Sequence, residues 1–208
     1  MAESTRPKRA PQIPKAQATK LFIEAVIELL ETRPIADISD QLIADTAGIN
    51  RATIYRHFGT RFELLDAVVV ELTQQRLATA SKTVSSADSD GLGFEEKPLL
   101  ARILPRGQMI FQLAAYLSAQ NYQSDSLRAS MRSLSDWWIE HLERLGVPAR
   151  MAQTLAFKNM ALSLARASAA DLFVLPADTF ADIEALALVE IANFELSAEQ
   201  LGWESDNR

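Results

Sequence analysis

Apolar residues recur at intervals of three and four positions along most of this chain, and this spacing sets the class of fold. In AQATKLFIEAVIELLE, for example, Leu21, Ala25 and Leu29 form one series, which a parallel series beginning at Phe22 widens. A period of this length places both series on one face of a helix. No window shows the alternation of polar and apolar residues that is typical of a half-buried strand. The sequence therefore predicts an all-α protein of about nine helices.

Proline, glycine and serine mark the predicted ends of the helices. The stretch VSSADSDGLGFEEK is rich in turn-forming residues and is predicted to be a loop. Beyond it, PLLARIL and RGQMIFQLAAYLSAQ are predicted as two helices separated by Pro105. Three more helices are expected to begin near Ser124, Pro148 and Pro176, the last of them continuous through Leu201.

The charges of the chain are unevenly distributed. The chain has 21 basic and 27 acidic residues, a formal charge of −6. Residues 1–66 hold nine of each sign, so the remaining 12 basic and 18 acidic residues carry the entire negative charge. A polyanion is therefore expected to contact only the first third of the chain.

The composition also bears on the compartment. The chain has no cysteine, which excludes disulfides and thiolate metal sites. The amino terminus lacks an apolar leader, and no later stretch approaches the ~20 apolar residues that a membrane span needs. We therefore expect a cytoplasmic protein with no membrane partner.

Two short helices joined by a glycine-containing turn are predicted in SDQLIADTAGINRATIYRHF. Ser39 is suited to cap the first helix, and Gly48 is suited to end it in a left-handed conformation. Asn50 is suited to cap the second helix, in which Ile54 and Phe58 lie one turn apart and are expected to face inward. This arrangement predicts a helix-turn-helix. The capping-box sequence TRFE then opens a long helix.

The outer face of the second of these helices has the chemistry of a DNA-reading surface. An arginine can donate two hydrogen bonds to a guanine, and a small residue can contact a thymine methyl. Hydroxyl and imidazole groups can donate to phosphates, and no carboxylate is expected on this face. The alternative for the same pattern is a solvated helical corner that never contacts DNA. The predicted DNA contacts are Asn50, Arg51, Ala52, Thr53, Tyr55, Arg56, His57 and Arg61.

A family resemblance supports the DNA-binding interpretation. The run IADTAGINRATIYRHFGTRFELL keeps an unbroken spacing of Ile-Ala, Ala-Gly, a capping Asn, Thr-x-Tyr-x-His-Phe and an Arg before Leu. On these residues, the segment from Leu21 to about Leu65 resembles the DNA-binding domain of the TetR family of transcriptional regulators. Four positions depart from the family pattern. Ala52 replaces a frequent Gly, Arg61 a frequent Lys, Pro34 a usual Gly, and Asp40 a usually apolar residue.

The resemblance implies a domain organisation and a function. We expect a helix-turn-helix domain at residues 15–62 and a helical ligand-binding and dimerisation domain at residues 63–208. Residues 1–14, which are rich in proline and basic residues, are expected to form a flexible basic arm. The implied function is that of a sequence-specific transcriptional regulator, a ligand-responsive repressor that binds a palindromic double-stranded DNA operator as a homodimer.

The last two predicted helices combine small residues with an apolar stripe. Such a surface suits either the core of one domain or a four-helix bundle formed with a second copy. The resemblance favours the bundle. The expected dimer interface consists of Leu155, Leu162, Phe180, Ile183, Ala187, Ile191 and Phe194.

Aromatic residues are concentrated in the middle helices, either as core or as the wall of a pocket for a small hydrophobic or aromatic effector. At helical pitch, Trp137 shares its side with His141, whereas Trp138 shares its side with Leu134 and Leu142 and is expected to be packing. The expected pocket lining consists of Met109, Phe111, Gln112, Tyr116, Trp137, His141 and Phe157.

An enzymatic function finds no support in the residues. The only histidines are His57 and His141, which lie on separate predicted helices, so no metal cluster is expected. A phosphate-binding glycine-rich loop and a nucleophile elbow are both missing from the sequence. The sequence therefore predicts no catalytic site and no cofactor. An effector-independent helical DNA-binding or adaptor protein remains the alternative, and a helical enzyme is a further one.

Overall fold

The computed structural model describes residues 13–87, 99–169 and 193–203, together with Leu186 and Val189. All regular structure in these residues is helical, so the predicted all-α class is confirmed. Across the same residues, no helix is both long enough and apolar enough to span a membrane. The elements are α1 Lys15–Leu30, a 3-10 helix Ile35–Asp37, α2 Asp40–Ala47, α3 Ala52–Phe58, α4 Arg61–Ala87, α5 Leu99–Ala119, α6 Asp125–Arg144, α7 Ala149–Ala169 and α8 Phe194–Leu201.

The chain divides into two compact units, Met1–Leu64 and Leu65–Arg208. In the first unit, α1 packs against both α2 and α3. Phe22 is completely buried and meets the ring of Phe58 edge to face, with 6.2 Å between the ring centroids. Burying apolar side chains of this size contributes roughly 1.5–3 kcal/mol each. The packing of α1 therefore holds the short helices α2 and α3, which are too short to be stable alone.

The two ends of α2 are set by local interactions. The Ser39 Oγ accepts a hydrogen bond from the backbone N–H of Leu42 at 3.2 Å. At the other end, Gly48 has φ 65°, the left-handed conformation that glycine adopts without steric cost. Both predicted end signals are confirmed, and together they place the turn that redirects the chain into α3.

In the second unit, α7 packs against both α5 and α6. The end of α6, the start of α7 and α8 share one apolar cluster, and the guanidinium of Arg150 lies 4.8 Å from the centroid of the Trp203 ring. The buried members of this cluster are Leu142, Val147, Met151, Ala152, Leu155 and Ala198.

Two predicted helix boundaries were wrong. Pro105 does not separate two helices, because α5 runs without interruption from Leu99 to Ala119. A proline removes one helical hydrogen bond, and the bonds on either side can maintain the helix. The last predicted helix, in contrast, is not regular through Asn193, because α8 begins at Phe194 and Asn193 lies in a turn, where its Nδ2 donates to the carbonyl oxygen of Val189 at 2.7 Å. A side chain that bonds back to the backbone in this way competes with helix continuation.

Candidate nucleic-acid interface

The side chains of α3 divide into a buried and an exposed face. Ile54 is completely buried against the core of the first unit. Arg51, Ala52 and Arg56 are exposed, and Tyr55 is 45% exposed. Because α3 is the second helix of the helix-turn-helix, its exposed face is the one that enters a major groove in this motif.

Two of the predicted DNA contacts serve the fold as well. The Asn50 Oδ1 accepts a hydrogen bond from the backbone N–H of Ala52 at 2.8 Å, which caps the first turn of α3. Thr53 is buried, with 9% of its surface exposed, so little of it is accessible to a phosphate. The Ala52 side chain, in contrast, is exposed beside Arg51 and Arg56.

The expectation of a face free of carboxylates was wrong, because Asp40 at the start of α2 reaches two of the predicted DNA contacts. Its Oδ1 accepts a hydrogen bond from the Arg61 Nη1 at 2.8 Å, and its Oδ2 accepts one from the Tyr55 hydroxyl. The Arg61 Nη2 also donates to the carbonyl oxygen of Ile35 at 3.3 Å. The helix-turn-helix fold brings these groups together although Asp40 and Arg61 are 21 residues apart.

This contact changes the electrostatics of the α3 face. The hydrogen bond to Asp40, reinforced by the negative charge of its carboxylate, raises the pKa of Tyr55. The phenol therefore remains a protonated donor at neutral pH. Most of the ion pair is shielded from water, with side-chain exposures of 19% for Arg61 and 16% for Asp40.

His57 lies at the end of α3 in a partly shielded position. Its Nδ1 is buried without a hydrogen-bond partner in the described part of the chain. Burial lowers the pKa of His57, and the positive charges of Arg56 and Lys15 lower it further. Since an unperturbed histidine titrates near pH 6.5 and the pKa of His57 is lowered, His57 is mostly neutral at pH 7 and adds little positive charge to the interface.

An open concave surface of about 740 Å³ lies between α2 and α3. On its α2 side, the Gln41 Nε2 donates to the Asp45 Oδ1 at 2.7 Å, so a second carboxylate borders the predicted interface. The lining residues are Gln41, Ala44, Asp45, Gly48, Ile49, Asn50, Arg51, Ala52 and Tyr55.

The residues predicted to line an effector pocket differ in their burial. Trp137 and His141 lie together on α6, with stacked rings. Trp138 is buried beside them. On α5, Met109 and Phe111 are buried, whereas Gln112 and Tyr116 are half-buried.

Phe157 does not line a pocket, and its assignment was wrong. It is 74% exposed on α7. The opposite face of α7 carries Met151, Ala152 and Leu155 into the core, and this packing turns Phe157 outward.

The predicted dimer interface also needs correction. Leu155 was wrongly assigned to it, because its side chain is buried inside the chain, in the cluster shared by α6, α7 and α8. Phe194 is half-buried against the same cluster, whereas Leu162 is 39% exposed. The remaining expected interface residues, Phe180, Ile183, Ala187 and Ile191, lie outside the described residues, as do residues 1–12 of the predicted arm.

Sequence reasoning missed a set of buried and half-buried polar groups on α4. The Asp66 Oδ2 accepts hydrogen bonds from the Ser126 hydroxyl at 2.6 Å and from the Tyr122 hydroxyl at 3.2 Å. The Thr73 hydroxyl is buried without a partner among the described residues, and burial lowers the pKa of Arg76 to about 10. The available signal was the position of Asp66 inside the apolar run LLDAVVV. Among the residues with described positions, no group of three potential metal ligands forms.

A comparison with protein families finds a match over the helix-turn-helix and the start of α4. The family model for bacterial regulatory proteins of the tetR family matches residues 22–68, which confirms the predicted resemblance. The chain is also similar to the nucleoid occlusion factor SlmA of Alteromonas mediterranea, with 26% identity over 106 residues, which are 45% of this chain and 54% of that protein. The chain thus spans about half the length of this relative.

Among solved structures, the chain is similar to the TetR family repressor AlkX from Dietzia sp. strain DQ12-45-1b, which is implicated in the biodegradation of n-alkanes. The similarity covers 85% of this chain and 95% of that chain, with 16% sequence identity and a TM-score of 0.46.

Proposed function

We propose that this chain, whose residues 22–68 match the tetR family of bacterial regulatory proteins, is a sequence-specific DNA-binding transcriptional regulator. The observation that supports the proposal is the exposed face of α3. Arg51, Ala52 and Arg56 are accessible there, while Ile54 holds the helix on its core. Two arginines flanking a small residue on one groove-sized helix match the donors and contacts that base edges require.

The proposed mode of binding places one α3 in each of two successive major grooves. Arg51 and Arg56 donate to base edges, Ala52 contacts a thymine methyl, and Tyr55 and Arg61 donate to phosphates. Because the two copies are related by a two-fold axis, the operator is expected to be a palindrome. The remainder of the chain carries a net negative charge, which repels DNA and favours binding at the α3 surface.

The proposed dimer uses the outer face of α7. Phe157 is 74% exposed and Leu164 is 42% exposed, seven residues and thus two helical turns apart. Ala161 lies exposed between them, and a small residue at this position allows a second helix to approach closely. A second copy of α7 would remove this apolar seam from water.

The proposed regulation is repression relieved by a small hydrophobic or aromatic effector bound in the second unit. The half-buried polar groups of Gln112 and Tyr116 could orient such a ligand. Helix α4 is continuous from Arg61 to Ala87 and supplies residues to both units. A ligand that displaced α4 would thereby change the separation of the two α3 helices and weaken operator binding.

Selection of DNA from a random-sequence pool tests the function directly. The full-length protein is incubated with random duplexes, and bound DNA is amplified and sequenced over several rounds. The proposal expects an enriched motif with two symmetric half-sites about one helical turn apart. An Arg51→Ala, Arg56→Ala double variant should enrich no motif while keeping the helical circular dichroism of the wild type. If the wild type also enriched no motif, the function would be rejected.

A thermal-shift screen with small hydrophobic and aromatic compounds tests the regulation separately. A compound that raises the melting temperature should also release the selected operator over the same concentration range. If stabilising compounds left DNA binding unchanged, or if no compound stabilised the protein, the effector-independent alternative would replace the ligand-responsive one.

A further inference from the structure

In the helix-turn-helix, the carboxylate of Asp40 contacts Tyr55 and Arg61, the two groups that the proposed function assigns to phosphate contacts. Asp40 uses both of its oxygens, one for the Arg61 guanidinium at 2.8 Å and the other for the Tyr55 hydroxyl. A DNA phosphate presents the same kind of acceptor, a negatively charged group with more than one oxygen. The carboxylate therefore occupies the hydrogen-bonding positions that a phosphate would take.

The environment of the contact makes it more than a surface ion pair. The side chains of Arg61 and Asp40 are only 19% and 16% exposed. Water and salt therefore screen their attraction less than at an open surface. The carbonyl oxygen of Ile35 takes a second donor of the guanidinium, and the Arg61 Nε is buried without a partner in the described part of the chain. In this arrangement, the guanidinium is directed at Asp40 and the backbone.

We propose that Asp40 competes with the DNA backbone for Tyr55 and Arg61 and so lowers the affinity of this protein for DNA of any sequence. The inference rests on the proposed function and adds Asp40 as a residue that limits the affinity for DNA. Phosphate contacts supply nearly all of non-specific binding, whereas base contacts add to specific binding. Blocking two phosphate donors therefore lowers the specific and the non-specific affinity by a similar factor, because both complexes use the same phosphate contacts.

An Asp40→Asn variant tests the competition, because it removes the charge and keeps the size of the side chain. Asp45→Asn is the matched control. Asp45 lies on the same helix and borders the same concave surface, but its carboxylate accepts a hydrogen bond from Gln41. Both variants remove one negative charge near DNA, so a general charge effect should be equal in the two.

The measurement is the affinity of each protein for a random-sequence 30-base-pair duplex and for a duplex carrying the selected operator, over a range of salt concentrations. We expect Asp40→Asn to bind the random duplex about three- to tenfold more tightly than Asp45→Asn does. Its plot of log affinity against log salt should be steeper by about 0.9, which corresponds to one more neutralised phosphate. The gain on the operator duplex should be similar, because both complexes use the same phosphate contacts.

Combining Asp40→Asn with Arg61→Gln tests whether the gain in DNA affinity depends on the Arg61 guanidinium. If the gain of Asp40→Asn arises through Arg61, it should fall to the level of Asp45→Asn when Arg61 is absent. Equal gains for the two aspartate variants, or a loss of affinity in Asp40→Asn, would overturn the competition while leaving the proposed function intact. A wild-type protein that bound neither duplex would reject the proposed function and this inference with it.

Discussion

The indole ring of Trp137 stacks on the imidazole ring of His141, with 5.2 Å between their centroids and 6° between their planes. Trp138 meets Trp137 edge to face at 5.3 Å and is 8% exposed, whereas Trp137 is half-buried. The neighbouring tryptophans therefore differ in access to solvent, as their positions on one helix turn predict.

This difference should be visible in fluorescence. A variant that keeps only Trp137 should be quenched by acrylamide more strongly than one that keeps only Trp138, because the second indole is buried. An effector that binds beside Trp137 should also change the emission of the Trp137 variant more. Equal quenching of the two variants would contradict the placement of these side chains.

Exchange of either exposed arginine on α3 should relax sequence preference. Arg51→Ala or Arg56→Ala should cost about 1–3 kcal/mol on the selected operator and less on random DNA, because a base contact is lost. Lys20→Ala is a suitable control, since Lys20 is exposed on α1 and pairs with Glu24. Competition binding with operator and random duplexes measures the effect. An equal loss on both duplexes would assign these arginines to phosphates instead.

The hydrogen bonds to Asp66 should contribute measurably to stability. Ser126→Ala should lower the free energy of unfolding by about 1.5–3 kcal/mol, because it removes a 2.6 Å hydrogen bond to a buried carboxylate. Tyr122→Phe should cost less, since its bond is 3.2 Å long. Ser133→Ala, which removes an exposed hydroxyl on the same helix, should be nearly neutral. Urea denaturation provides the comparison, and a costly Ser133→Ala would weaken this interpretation.

The lowered pKa of His57 predicts a loss of stability in mild acid. The unfolded chain binds a proton near pH 6.5, whereas the folded protein binds it only at lower pH. The contribution of His57 is therefore complete above pH 6.5 and is lost as the pH falls below that value. Between pH 7.5 and 5.5, the free energy of unfolding should fall more for the wild type than for His57→Gln. Identical dependence of the unfolding free energy on pH for the two proteins would contradict the lowered pKa of His57.

The proposed dimer makes a prediction for the exposed face of α7. Phe157→Glu should convert dimers to monomers without loss of helical circular dichroism, because a charge would be buried in the apolar contact. Phe157→Leu keeps an apolar side chain at the same position and should remain dimeric. Sedimentation velocity distinguishes the two states. If Phe157→Glu sedimented as a dimer, the interface would have to lie elsewhere on the protein.

The sequence by itself determined the helical class, the start and end of α2 and the inward direction of Ile54. These features depend on residues three or four positions apart, so the local spacing contains the information needed to predict them. The pairing of Trp137 with His141 is of the same kind, since the two residues lie one turn apart on α6.

The tertiary structure alone decided which neighbour each exposed or apolar side chain meets. Asp40 and Arg61 are 21 residues apart, and Asp66 and Ser126 are 60 residues apart, so no local pattern indicates that they touch. Leu155 and Phe157 are both apolar residues of α7, but the packing of α6 and α8 buries the first and leaves the second exposed. Helical spacing shows which residues share a face. Whether that face is buried depends on which other helices pack against it, and those helices are distant in the chain.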